Sequence, residues 1–182
     1  MSDISAQTVL DFWFSELTPA DWFRKSDAVD ALIAQRFAGL HTQASAGELW
    51  VWRATPSGQL AEIIILDQFS RNLFRQDARA FSQDVLALGL AQQAVALGAD
   101  RDLSVEQRRF VYMPYMHSES LRIHEQAVLL FSQKGLEGNL DFEHRHKTII
   151  ERFGRYPHRN AILGRTSTEE ELAFLQTPGS SF

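Results

Sequence analysis

The chain has 182 residues, a formal net charge of −5 and no cysteine. A chain of that length buries roughly 70% of its unfolded surface in one core, so one domain over residues 1–182 is the expectation. The missing cysteine removes disulfides, thiol nucleophiles and cysteine metal sites, and the acidic balance argues against a nucleic-acid partner. No basic-then-apolar leader opens the chain, and no apolar run approaches the ~20 residues that span a bilayer. A cytoplasmic protein without membrane contact is expected.

Helical periodicity dominates in chain order. Val9, Leu10, Phe12, Trp13 and Phe14 predict a short aromatic helix that ends before Pro19. Ser26 is placed to cap a helix carrying Val29, Leu32, Ile33 and Phe37, with Gly47 closing it. Thr55-Pro56-Ser57-Gly58 reads as a turn, and Leu60 to Phe74 as a helix apolar on nearly every side. Asp77 is expected to cap the next helix, through Phe81, Val85, Leu88, Ala91 and Val95 to a stop at Gly98. Ser104 with Gln107 forms a capping box, and Pro114 predicts a break or kink. Ser118 is expected to start a helix through Leu121, Val128 and Phe131 to Gly135. Asn139 or Asp141 should cap another, carrying Phe142, Ile149, Ile150 and Phe153 to Gly154. Ser167 to Glu170 reads as a second capping box opening a terminal helix. No stretch alternates with period two between hairpin turns. About eight helices with short connections predict an all-α fold of antiparallel helix pairs.

Two segments set arginine beside asparagine in apolar surroundings: Asp67-Gln68-Phe69-Ser70-Arg71-Asn72-Leu73-Phe74-Arg75 and Arg155-Tyr156-Pro157-His158-Arg159-Asn160. A third, Met113-Pro114-Tyr115-Met116-His117-Ser118-Glu119, lies between them. With the opening Asp11-Phe12-Trp13-Phe14 and Trp22-Phe23, this order of motifs resembles the domain-of-unknown-function family numbered 924 over almost the whole chain. The resemblance implies a right-handed, tetratricopeptide-like helical array and no established activity. In that family a proline commonly precedes the first arginine, where this chain has Ser70, so a helix break or a continuing helix is open at that point.

A buried guanidinium without a partner costs several kcal/mol by order of magnitude, so these arginines need carboxylates, backbone or a ligand. On a regular helix Asp67, Arg71 and Arg75 share one stripe. Asp67 four residues before Arg71 is the favourable order for an ion pair, and a structural bridge competes with a clamp for a carboxylate or phosphate made by Arg71 and Arg75, oriented by Asp67 and Asn72. Arg155, His158, Arg159 and Asn160 leave a helix at Gly154 and pass through a proline turn, a setting suited to a ligand loop, although Arg159 and Asn160 could equally satisfy helix-end carbonyls. From Glu143 to Arg165 there are six Arg or Lys against two acids, a local surplus that attracts anions. The expected partner is a small anionic molecule or an acidic peptide end.

His117 is the best general-base candidate, with Glu119 orienting it or acting as acid; a helix cap is the competing role. A metal-independent enzyme using these two is therefore the alternative function, and a protein-interaction scaffold a further one. His146, amid Phe142, Ile149, Ile150 and Phe153, reads as a core histidine bonded to backbone. No metal or cofactor is expected. His124-Glu125 has Val128 where a zinc protease needs its second histidine, and Glu143 with His146 supplies one Glu-x-x-His half of a di-iron site without the other.

Overall fold

Helices account for nearly all regular structure in the computed structural model, which describes residues 4–181, and no strand occurs among them. The chain falls into two compact units: one runs up to Arg75 and takes in Arg79–Pro114, the other comprises Gln76–Ala78 and the chain from Tyr115 on.

The first unit opens with α1 (Ala6–Asp11), capped by Ser5, and a wide π-type turn at Phe12–Glu16 that together form the predicted aromatic helix. Then come α2 (Pro19–Phe23) and α3 (Asp27–Ser45), the latter capped by the Ser26 hydroxyl as expected. A short 3-10 turn, Trp50–Ala54, leads into α4 (Pro56–Ile64). Thr55 to Gly58 is the first turn of this helix and not a separate loop: Pro56 sits where the first helical N–H would be unbonded anyway, and the Thr55 hydroxyl accepts the Gly58 N–H at 3.1 Å. Gly58 is required by a close approach, because a Cβ there would lie 1.9 Å from the Trp52 carbonyl oxygen.

The helical path continues from α4 through a second π-type turn, Ile65–Phe69, into α5 (Ser70–Leu73), so at Ser70 it does not break. Every residue from Leu60 to Ser70 is buried. This rod packs on α1, α3 and α6 (Asp84–Ala96). Around it stands an aromatic core in which Phe12 meets Phe37 at 5.0 Å, Phe37 meets Phe69 at 5.1 Å and Trp13 meets Phe110 at 5.5 Å between ring centroids. Asp77 does not cap α6. The backbone turns at Gln76, whose φ is 64°, a 3-10 turn spans Ala78–Phe81, and α6 starts later at Asp84. Gly98 stops α6 in the left-handed conformation, φ 73°, as predicted. Ser104 and Gln107 cap α7 (Val105–Met116) reciprocally. Pro114 does not end this helix, which runs on to Met116.

In the second unit α8 (Leu121–Phe131) packs on α9 (Glu137–Phe153) across a turn with Gly135 at φ 93°. Helix α8 begins after Ser120, because Ser118 turns its hydroxyl to the Ser120 N–H. Helix α9 begins before Asn139 and Asp141, since the Glu137 carboxylate takes the Gly135 N–H at 3.0 Å and fixes the entry there. Gly154 ends α9 at φ 67°. A 3-10 turn, Pro157–Arg159, follows, and α10 (Glu169–Phe174) opens on a capping box of Thr168 and Glu171, one residue beyond the predicted pair. Ile149, Ile150 and Tyr156 form a core closed by Phe153 and Phe174.

Candidate functional site

The first arginine motif leaves the expected stripe because of the π-type turn. Hydrogen bonding from residue i to i+5 advances the helix less per residue, so Arg71 does not face Asp67. Instead Gln68 Nε2 donates to the Asp67 carboxylate at 2.6 Å. Arg71 makes a two-pronged bond to Asp84 at 2.7 and 3.0 Å, also donates to the Ala80 carbonyl, and lies 4.7 Å over the Phe81 ring. Arg75 grips Asp30 of α3 through two bonds of 2.6 Å, and Asn72 donates to the same carboxylate at 2.8 Å. Burial works to raise the Asp30 carboxyl, but the bonds from Arg75 and Asn72 outweigh it and hold the group below the usual range. The hydroxyl of Ser70 donates to the Leu66 carbonyl at 2.5 Å and accepts from His41 Nε2 at 2.8 Å.

The second motif sits in a denser network within its own unit. Arg155 holds Glu171 by bonds of 2.6 and 2.8 Å, and together with the Thr168 cap this takes the Glu171 carboxyl down to about 2. Asn160 donates to Ser167 at 3.0 Å and accepts from Arg165 at 2.9 Å. Arg165 also binds Glu119 through both oxygens, at 2.6 and 2.9 Å, and the Tyr156 N–H donates to Glu119 at 2.7 Å. For Glu119 burial pushes upward, yet Arg165, the Tyr156 N–H and the nearby Arg159 charge prevail, so the carboxyl lies low and ionised. Glu119 thus orients Arg165 and the Tyr156 backbone instead of His117.

Tyr156 is the hub. The Arg159 guanidinium, in a residue only 7% exposed, lies 4.6 Å over its ring. The rings of His158, His146 and His124 stand 5.5, 5.8 and 6.2 Å from it. His146 Nδ1 donates to the Phe142 carbonyl at 2.8 Å. Burial, with His117, His124 and His158 close by, outweighs the backbone bond and takes the His146 imidazole down to about 3. Three further histidines and an arginine therefore share one neighbourhood, and His117 belongs to it although no motif places it beside His158.

Sequence reasoning missed Asp84, Asp30, Glu171 and Arg165 as partners, since each lies far along the chain from the residue it holds. It also missed the bond of 2.6 Å between His124 and Glu143, both 0% exposed. A signal existed: Glu143 falls on the apolar face of α9 beside His146, and a carboxyl there needs a partner. Among the described residues no group of three His, Asp or Glu could hold a metal ion, and no helix is long and apolar enough to cross a membrane. An open recess of about 370 Å³ lined by Ala6, Val51, Trp52 and Thr55 contains none of the predicted site residues.

No curated protein matches this sequence. A solved structure, a protein of unknown function, ATU0120, from Agrobacterium tumefaciens, is similar to it at 37% identity and a TM-score of 0.90, covering 94% of this chain and 96% of that one. The family model described as bacterial protein of unknown function, DUF924, matches residues 9–179, and the chain belongs to that family.

Proposed function

We propose that the protein binds a small anionic molecule, or an acidic peptide end, at the basic cluster around Tyr156. The observation that carries this reading is the Arg159 guanidinium held over Tyr156 with the rings of His158 and His146 close by. A guanidinium stacked on an aromatic ring keeps its planar fork of donors preorganised for a carboxylate or phosphate. Arg159, His158 and His117 are the direct contacts in this proposal, with Asn160 fixing the loop. Arg155, which holds Glu171 beside Asn160, supports the same loop, while Asp67, Arg71, Asn72 and Arg75 belong to the first unit and are no part of this proposed site. Within each unit the helix pairs are proposed to follow a tetratricopeptide-like pattern, in a protein of the cytoplasm, where a cysteine-free chain needs no disulfide.

A proton-transfer enzyme with His117 as base is a weaker reading. Ionised Glu119 has no hydrogen to donate near neutral pH and serves to anchor Arg165.

The test is thermal stability at low salt across a panel of inorganic phosphate, citrate and short acidic peptides. At least one anion is expected to raise Tm, with the gain shrinking as salt screens it. In Arg159→Ala the gain should vanish, and in Arg159→Lys it should be partly kept. A panel without any shift, or an unchanged shift in both variants, overturns the proposal.

A further inference from the structure

The buried pair His124 and Glu143 has a bond pattern that fixes where its hydrogens sit. His124 Nε2 lies 2.8 Å from the Ser118 carbonyl oxygen and 3.2 Å from the Tyr156 hydroxyl. A carbonyl can only accept, so Nε2 carries a hydrogen. The Tyr156 hydroxyl gives its own hydrogen to the Met116 carbonyl at 2.5 Å and is left to accept. On the other side of the ring one hydrogen remains between His124 Nδ1 and Glu143 Oε1, 2.6 Å apart.

Two observations put that hydrogen on the acid. Glu143 Oε2 is buried and makes no hydrogen bond, and a buried carboxylate with an unbonded oxygen pays its full desolvation cost. Burial raises the Glu143 carboxyl in spite of its bond to His124 and the nearby imidazoles of His144 and His117. The acid then donates to the Nδ1 lone pair of a neutral imidazole, which locks the ring in the tautomer with hydrogen on Nε2.

The consequence falls on His117. Its two flanking carbonyls, Met116 and Ser118, are held by Tyr156 and His124, and the next side chain, Glu119, takes the Tyr156 N–H. We infer that Glu143 and His124 form a neutral pair sharing one hydrogen, and that this pair positions His117 for the anion. Its purpose rests on the anion-binding reading above; its existence rests on the bond pattern alone.

Long-range proton–nitrogen NMR of the histidine rings in the full chain tests this, together with calorimetric titration of inorganic phosphate at low salt. In the parent, His124 should be a neutral imidazole with its hydrogen on Nε2. In Glu143→Gln the amide N–H replaces the acid O–H, so the tautomer, the His117 resonances and the phosphate affinity should all persist. In Glu143→Leu, His124 should divide between tautomers, the His117 resonances should move, and phosphate affinity should fall about tenfold, as expected for loss of a supporting hydrogen bond behind a binding group. A doubly protonated His124 in the parent overturns the inference, as does a Glu143→Leu chain with unaltered His117 signals. Should the leucine variant not fold, loss of the Nε2–H tautomer in Glu143→Gln does so alone, and its retention there supports the pair. Absence of phosphate binding in the parent counts against the anion site, while the histidine spectra still decide whether the neutral pair exists.

Discussion

Each unit buries one glutamate completely, Glu62 in the first and Glu143 in the second, and the two are treated in opposite ways. Glu62 meets Arg53 in a two-pronged bond with both distances 2.7 Å. Glu143 meets a histidine through one oxygen. Arginine keeps its charge at any biological pH, so Glu62 is committed to an ion pair. Histidine can be neutral, and its partner can then be neutral too. The choice of cation thus decides whether a buried acid is a permanent charge or a hydrogen donor.

The largest expected effect comes from removing the arginine. Arg53→Ala strands the Glu62 carboxylate in the interior, and breaking one side of a buried pair typically costs about 3–5 kcal/mol; urea unfolding measures it. A loss under about 1 kcal/mol would mean the Arg53–Glu62 pair contributes no more than an ordinary hydrogen bond, and the contrast would disappear.

A smaller effect concerns pH. His146 has an ordinary imidazole value of 6.5 and a folded value of about 3, so the unfolded chain takes up the proton first. Its contribution to stability is complete above pH 6.5 and is lost as pH falls toward 3. Between about pH 6.5 and 5 the loss should be on the order of 2 kcal/mol. His146→Leu should flatten the plot of unfolding free energy against pH over that window. An unchanged slope would show that the second unit does not hold this histidine neutral.

The smallest effect sharpens the comparison. Glu143→Gln should alter stability at pH 7 by less than about 1 kcal/mol, because an amide can donate as the protonated acid does. A loss comparable to that of Arg53→Ala would make both glutamates charged.

Local chemistry was readable in the sequence. Ser26, Ser104 with Gln107, Gly98 and Gly154 each act through bonds to neighbours a few residues away, and all four helix ends fall where those residues put them. Long-range pairing was not: Arg75 reaches Asp30 and Arg165 reaches Glu119, and no local rule selects one acid among many. The shift from Ser167 to Thr168 reflects two adjacent hydroxyls with equal capping ability. Pro114 within α7 shows tertiary packing prevailing over local preference. For the candidate site, the second motif is visible in the sequence as residues, while the approach of His124 and His146 to Tyr156 is not, because they lie on two separate helices.

The π-type turn at Ile65–Phe69 acts as one extra residue threaded into an otherwise regular helix. Everything after it, including Arg71, Asn72 and Arg75, is rotated by the ~100° that one residue contributes. Deleting a single apolar residue there would restore an ordinary helix, yet would swing all three polar side chains off Asp84 and Asp30 together. The segment is therefore a phase adjuster, and counting positions straight across it misleads about which way the following residues point.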